Sequence, residues 1–203
     1  MGIRPEFIKA LELVSSRENP TVVEIGSHKG DGIKLMRDLL DSPTIIGIEP
    51  SPENFKVLLK TVKVNVYNCA IGKENGFALI KTEVDKTRER SRNSNIFNED
   101  GYKVEMFTLD KFLSDNEIKK VDFLRFDCYF SEYEIFKAKT LNFLKITDII
   151  YIAMHFKGTE MKIKEVYAKR DFIKNKLKDH GFSKADGAAV GCDKHIFQVW
   201  RKL

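Results

Sequence analysis

Glu24, Gly26 and Gly30 close an apolar run in the stretch VVEIGSHKGDG, residues 22–32. Glycines placed after a buried strand make a turn that presents backbone N–H groups, at the start of a helix, to a ligand. Spacing separates the ligands that use such turns. A phosphate-cradling loop requires GxxxxGK[ST]. Here Gly26 to Gly32 is too long, and Lys34 is not followed by Ser or Thr. The dinucleotide fingerprint is GxGxxG, whereas this chain has three residues between Gly26 and Gly30 and one between Gly30 and Gly32.

What remains is E-x-G-x-x-x-G. An acidic side chain just before the turn repels a pyrophosphate but attracts an ammonium or sulfonium group, while helix-start amides hold a carboxylate. S-adenosylmethionine carries all of these. A second acid, Glu49 in IIGIEPSPENF, falls about 20 residues past the glycine turn, where a carboxylate accepts from the 2′ and 3′ hydroxyls of a ribose. NAD and S-adenosylmethionine share that ribose, so Glu49 alone does not separate them. Asp127 in VDFLRFD and His155 in DIIYIAMHF stand at the ends of two further apolar runs.

These residues need a frame, and the hydrophobic pattern supplies one. TVVEIG, TIIGIEP, VNVYNCAIG, VDFLRFD and DIIYIAMHF read as buried strands. Between them, DGIKLMRDLLD and SPENFKVLLKTV have helical periodicity, the second with Ser51 as cap and Pro52 in its first turn. SEYEIFKAKTLNFLK and MKIKEVYAKRDFIKNKLKDHG read as helices, the latter stopped by Gly181. GFALIKTEV is expected to be an extra strand, and VEMFTLDKFLSD a short strand running into a short helix. The chain ends in a hairpin. Strands alternating with helices predict an α/β fold, a doubly wound, mostly parallel sheet with ligands beyond the carboxyl ends of its strands. Residues 81–103 are polar and aperiodic and are expected to form a long flexible loop or lid. With no linker or repeat, residues 1–203 read as a single domain.

No apolar run approaches the roughly 20 residues of a membrane helix. The N-terminus does not read as a signal peptide, and the three cysteines make no CxxC pair. Both points lead to an expectation of a reducing, cytoplasmic setting. No metal-ligand spacing is present. The net charge of +5 is densest in KTEVDKTRERSRNSN, residues 81–95, either a solvated stretch or a contact for an anionic partner.

In order along residues 20–155, these motifs resemble the class I S-adenosylmethionine-dependent methyltransferases, and among them the FkbM family. VVEIGSHKGDGIKLM is similar to its glycine motif, IIGIEPSPENFKVLLK to its Glu-Pro motif, VYNCAIG to its Asn-x-Ala-Leu-Gly segment and FTLDKFL to its Leu-Asp segment. The resemblance implies a seven-stranded Rossmann-like sheet whose last strand runs antiparallel. It also implies S-adenosylmethionine as cofactor. Glu24, Gly26 and Gly30 would shape the methionine end with Ser27 and His28 in the turn. Glu49 would hold the ribose and Pro50 would lie near the adenine, with Asn68, Cys69 and Ala70 flanking the purine. VDFLRFDCYFSEYEIFKA stands where the family has Asp-Phe-x-Lys-x-Asp-x-Glu-Gly-x-Glu. Asp127 and Glu132 are kept, Arg125 replaces Lys, and Tyr129 and Phe130 replace Glu-Gly. The changed pair borders the methyl-transfer site and is a candidate acceptor wall.

Methyl transfer to a hydroxyl requires the acceptor to lose a proton, and a base with a pKa near 7 suits that. His155 is the candidate base and Asp127 the second. The acceptor implied by the resemblance is a small-molecule or glycan-like hydroxyl. Two alternatives stay open: methylation of a nucleic acid such as RNA, motivated by the basic stretch although no NPPY or DPPY motif is present, and a catalytically impaired Rossmann-like binding domain.

Overall fold

A computed structural model describes residues 5–85, 90–95, 101–129, 131–155, 163–190 and 195–203. Its centre is a seven-stranded sheet. The strands are β1 (Thr21–Ile25), β2 (Thr44–Ile48), β3 (Asn65–Tyr67), β8 (Val121–Phe126), β9 (Thr147–His155), β10 (Phe182–Val190) and β11 (His195–Lys202), in the order β10-β11-β9-β8-β1-β2-β3. β1 pairs in parallel with β2 and β8, β8 with β9 and β2 with β3, while β11 runs antiparallel between β9 and β10. From β1 the chain moves outward to β2 and from β8 outward to β9, so the crevice between the ends of β1 and β8 is the switch point.

Both faces of the sheet are covered, which is why its strands are apolar at successive positions rather than at every second one. Val22, Ile45, Phe123, Ile149 and Tyr151 face one core, and Val23, Ile46, Leu124, Ile150 and Ile152 face the other. The first core is closed by α1 (Pro5–Glu12), α2 (Asp31–Leu39) and α3 (Pro52–Thr61) through Phe7, Ala10, Leu11, Ile33, Met36 and Leu58. The second is closed by α4 (Leu109–Asp115), α5 (Ser131–Ile135), a 3₁₀ turn at Asn142–Lys145 and α6 (Ile163–Asp179).

Four elements depart from the sequence reading. The run VNVYNCAIG is two strands: after Tyr67 the chain leaves the main sheet, and β4 (Ala70–Ile71) joins a second sheet with order β4-β7-β5-β6. That sheet contains β5 (Gly76–Asp85), β6 (Arg90–Asn95) and β7 (Tyr102–Phe107). The expected extra strand GFALIKTEV is β5, but Asp85 and residues 90–95, expected as loop, are paired strand as well, with Glu83 opposite Arg92 and Asp85 opposite Arg90. A ladder of backbone hydrogen bonds does not need an apolar face, so hydrophobic periodicity cannot announce it. The segment SEYEIFKAKTLNFLK makes only the short α5 and the 3₁₀ turn. Asp110 of α4 accepts from Thr140 Oγ1 at 2.6 Å and from the N–H groups of Asn142 at 3.0 Å and Phe143 at 2.7 Å. Those bonds run across to α4 instead of up a helix axis.

The fourth departure is α1, which the sequence reading passed over. Phe7 is 3% exposed and packs on Tyr151 at 5.3 Å and Phe123 at 6.2 Å between ring centroids. Removing so large a buried ring leaves a cavity that the surrounding strands cannot close. Phe7→Ala is expected to lower unfolding free energy by about 3–5 kcal/mol in urea denaturation.

Candidate functional site

Four strand ends are tied to one another by direct hydrogen bonds. Ile48, the last residue of β2, accepts at its carbonyl from the N–H groups of Gly26 (2.9 Å) and Ser27 (3.0 Å), which locks the turn after β1 onto its neighbour. Asp127, one residue past β8, donates its N–H to Ile25 at 3.0 Å. Glu49 donates its N–H to Tyr67 at 3.0 Å, and the Asn68 amide donates to the carbonyls of Glu49 (2.9 Å) and Pro50 (3.1 Å). The sequence-predicted residues from Asp127 through the turn to Asn68 thus form one contiguous ledge at the switch point.

The glycines of the turn are required by packing. Gly26 and Gly30 have φ of 88° and 92°, the left-handed region that a side chain rarely adopts. A Cβ on Gly26 would strike the carbonyl oxygen of Asp127, and one on Gly30 would lie 2.7 Å from Val62 Cγ1. Gly32, one turn into α2, has a different neighbour: a Cβ there would strike Glu24 Oε1. His28 also has positive φ, at 51°, and is exposed. Ser27 is buried, and its hydroxyl donates to the Glu24 carbonyl at 3.3 Å.

Glu49 joins the turn to α3. Its Oε2 accepts from the His28 N–H at 2.7 Å, and its Oε1 from the Ser51 N–H at 2.9 Å and the Asn54 amide at 3.4 Å. Ser51 caps α3 by accepting from the Asn54 N–H, with Pro52 behind it. Burial pushes the Glu49 carboxyl up to about 6, with the hydrogen bonds from Ser51 and His28 acting in the opposite sense. Oε1 is thus filled by two donors, while Oε2, with one, keeps lone-pair capacity for a further donor.

Glu24 is less accessible than its place in the motif implies. It is fully buried, and its Oε1 accepts from Arg125 Nη1. Arg125 Nη2 donates to Asp127 Oδ2 at 2.5 Å, and the Phe7 ring lies 4.3 Å from the guanidinium carbon. Burial raises the Glu24 carboxyl, and Arg125 pulls it partly back. For Arg125 burial opposes the charge, but the fields of Glu24 and Asp127 more than offset it, so the guanidinium stays above its ordinary range. Among the described residues, Glu24 Oε2 and Arg125 Nε have no hydrogen-bond partner. The sequence reading took Arg125 only as a departure and did not see Gly32 as its consequence. A charged residue, Arg125, within the apolar run FLRF and two positions before Asp127 is the signal that the sequence carries.

Cys69 and Ala70 are buried, and burial pushes the Cys69 thiol up to about 12, which keeps it neutral. Glu132 is buried and accepts from the Cys128 N–H at 3.2 Å, closing the turn after β8. Tyr129 takes a positive φ of 43° in that turn, and Phe130 lies outside the described residues. His155 is the last residue of β9, which pairs Ile152 with Phe126, so its backbone extends past the level of Asp127; its side chain lies outside the described residues. Among the described residues no cluster of three His, Cys, Asp or Glu side chains has the form of a metal site, and no helix is long and apolar enough to cross a membrane.

The methyltransferase FkbM domain matches residues 24–184 of this chain. No curated protein gives a significant match. Among solved structures, a fibrillarin pre-rRNA processing protein from Methanococcus jannaschii is similar at 14% identity and a TM-score of 0.52, covering 98% of this chain and 76% of its own. A precorrin-6y methyltransferase from Geobacter metallireducens is similar at 10% identity and a TM-score of 0.53, covering 97% and 87%. A ribosomal protein L11 methylase from Lactobacillus delbrueckii subsp. bulgaricus is similar at 8% identity and a TM-score of 0.55, covering 98% and 77%. At these identities the likeness is one of fold.

The raised Glu49 carboxyl has a stability consequence whose sign is fixed. The folded chain holds this proton more tightly than the unfolded chain, so stability falls as pH rises through the interval from the ordinary value of 4.5 to about 6. In urea denaturation at several pH values, wild type is expected to lose about 2 kcal/mol across that interval relative to Glu49→Gln, which has no such proton to release.

Proposed function

This chain belongs to the FkbM methyltransferase family, and we propose that it transfers a methyl group from S-adenosylmethionine to a hydroxyl of a small-molecule or glycan-like acceptor. The observation that carries the reading is the ledge from Asp127 to Asn68, in which Glu49 is buried yet keeps acceptor capacity. A carboxylate so held suits a vicinal diol, because its orientation is set before the ligand arrives. The donor set fits the cofactor: a carboxylate for ribose hydroxyls, the partly exposed acid Asp127 for a cationic end, and the start of α2 for a carboxylate.

When bound, S-adenosylmethionine supplies a methyl carbon on a positively charged sulfur. The chain's own residues have the other tasks. Glu49 holds the ribose, Pro50 and the Asn68–Ala70 segment border the purine, and Glu24, Gly26, Ser27, His28 and Gly30 form the methionine end. Arg125 and Asp127 complete that end. Proton removal from the acceptor falls to His155, with Asp127 as the second candidate. Tyr129 and Phe130 border the acceptor, where the chain departs from the family's Glu-Gly pair.

The basic stretch favours a second reading, methylation of RNA or another nucleic acid. β6 carries Arg90 and Arg92, and β5 begins its ribbon with Lys81. A nucleic-acid acceptor would bind with an affinity that falls steeply with salt, whereas a neutral glycan-like acceptor would not.

Calorimetric titration separates these readings from a different Rossmann-like function. S-adenosylhomocysteine is expected to bind and NAD is not; the reverse pattern sinks the methyltransferase reading. On an acceptor that turns over, His155→Ala is expected to lower kcat by about a hundredfold or more near neutral pH. Unchanged turnover would remove His155 from the mechanism.

A further inference from the structure

Arg125 stands between two carboxylates that approach from different strand ends. Its Nη1 donates to Glu24 Oε1, and its Nη2 to Asp127 Oδ2 at 2.5 Å. Phe7 of α1 covers the guanidinium, and Tyr151 of β9 lies 5.9 Å from it. The Glu24 side chain is 0% exposed and that of Asp127 15%, so one of the two acids is sealed and the other reaches the crevice. A planar guanidinium serves two carboxylates through separate N–H edges, whereas a lysine ammonium is a point charge on a flexible stem. Without the cation, two acids in so dry a place would not both stay ionised.

We propose that Arg125 is the positioning residue for an ammonium-bearing ligand: it couples Glu24 to Asp127, so that the two acids respond as one unit that meets the ligand at Asp127. This rests on the cofactor reading above, since S-adenosylmethionine and S-adenosylhomocysteine share an α-ammonium group. It also revises what Glu24 does. Glu24 does not meet the cation itself; it fixes the arginine that aims Asp127.

Among the described residues, the groups facing Arg125 come from several packed elements. Glu24 comes from β1, Asp127 from the end of β8, and Tyr151 from β9. α1 presents the uncharged Phe7, and α2 presents Gly32, whose missing Cβ makes room for the pair. Glu49, at the end of β2, feels the charge of Glu24.

The test is calorimetric titration of S-adenosylhomocysteine into wild type, Arg125→Lys, Arg125→Gln, Asp127→Asn and the two double variants, with thermal melts to confirm folding. Asp127→Asn is expected to weaken binding about tenfold in wild type but no more than about twofold when Arg125 is already Lys. Arg125→Gln is expected to add an acid limb, with affinity falling between about pH 8 and pH 6 beyond any fall that Glu49 causes in wild type. Asp127→Asn in the same chain should remove that added limb. A purely structural role for Arg125 predicts effects that multiply and a pH profile parallel to wild type, and either result overturns the coupling. If Arg125→Gln does not fold, the cycle with Arg125→Lys decides. A wild-type chain that binds no S-adenosylhomocysteine overturns the cofactor reading and the coupling with it; binding with independent effects overturns the coupling alone.

Discussion

A carboxylate with none of its surface exposed sits in the middle of the sheet, and this end of the molecule is arranged around it. Glu24 lies on the central strand, between β2 and β8, where water cannot reach it. Burying such a group costs several kcal/mol unless a cation and hydrogen bonds compensate it. Arg125 on the adjacent strand provides the cation, in register with Glu24 across the β1–β8 ladder. Arg125 in turn needs cover, which Phe7 gives, and room, which the absent side chain of Gly32 gives. A helix near the N-terminus, a glycine in α2 and two strand residues are thus consequences of one charge.

A second acid organises the neighbouring strand end in a different way. Among the described residues Glu49 has no cation against it, and its oxygens accept from two backbone N–H groups and one amide. These donors belong to the turn after β1 and to the first turn of α3. The orientation of both loops therefore depends on one side chain, and a ligand that binds Glu49 meets a turn and a helix start already set. The helix start adds its own partial positive charge, which favours the ionised acid there.

The sheet was legible because strands buried on both faces are written as continuous apolar runs, and the helices because their stripes recur at 3.6 residues. The turn glycines and Glu49 stood out by spacing. The reason for the glycines was hidden: the atoms that forbid a Cβ at Gly26 and Gly30 belong to Asp127, Val62 and Leu58, distant in sequence. The same holds for Asp110, whose partners Thr140, Asn142 and Phe143 end a helix that local periodicity would have continued. The sequence announces β5 through GFALIKTEV but not its partner β6, because a polar ladder has no hydrophobic signature. Arg125 was visible, but its meaning lay in pairing across strands, which a linear pattern does not carry.

The point where the chain leaves the main sheet has its own significance. β4 is two residues long and lies parallel to β7, and the Gly72 N–H donates to the Phe107 carbonyl at 2.9 Å. The whole excursion between them therefore begins and ends at one closed mouth, beside the ledge that Asn68 completes. Its length and content are uncoupled from the register of the seven strands. The fold thus divides its labour: one part is tied down by buried charge, and an adjoining part can change in length and content without disturbing the strands that carry the ledge.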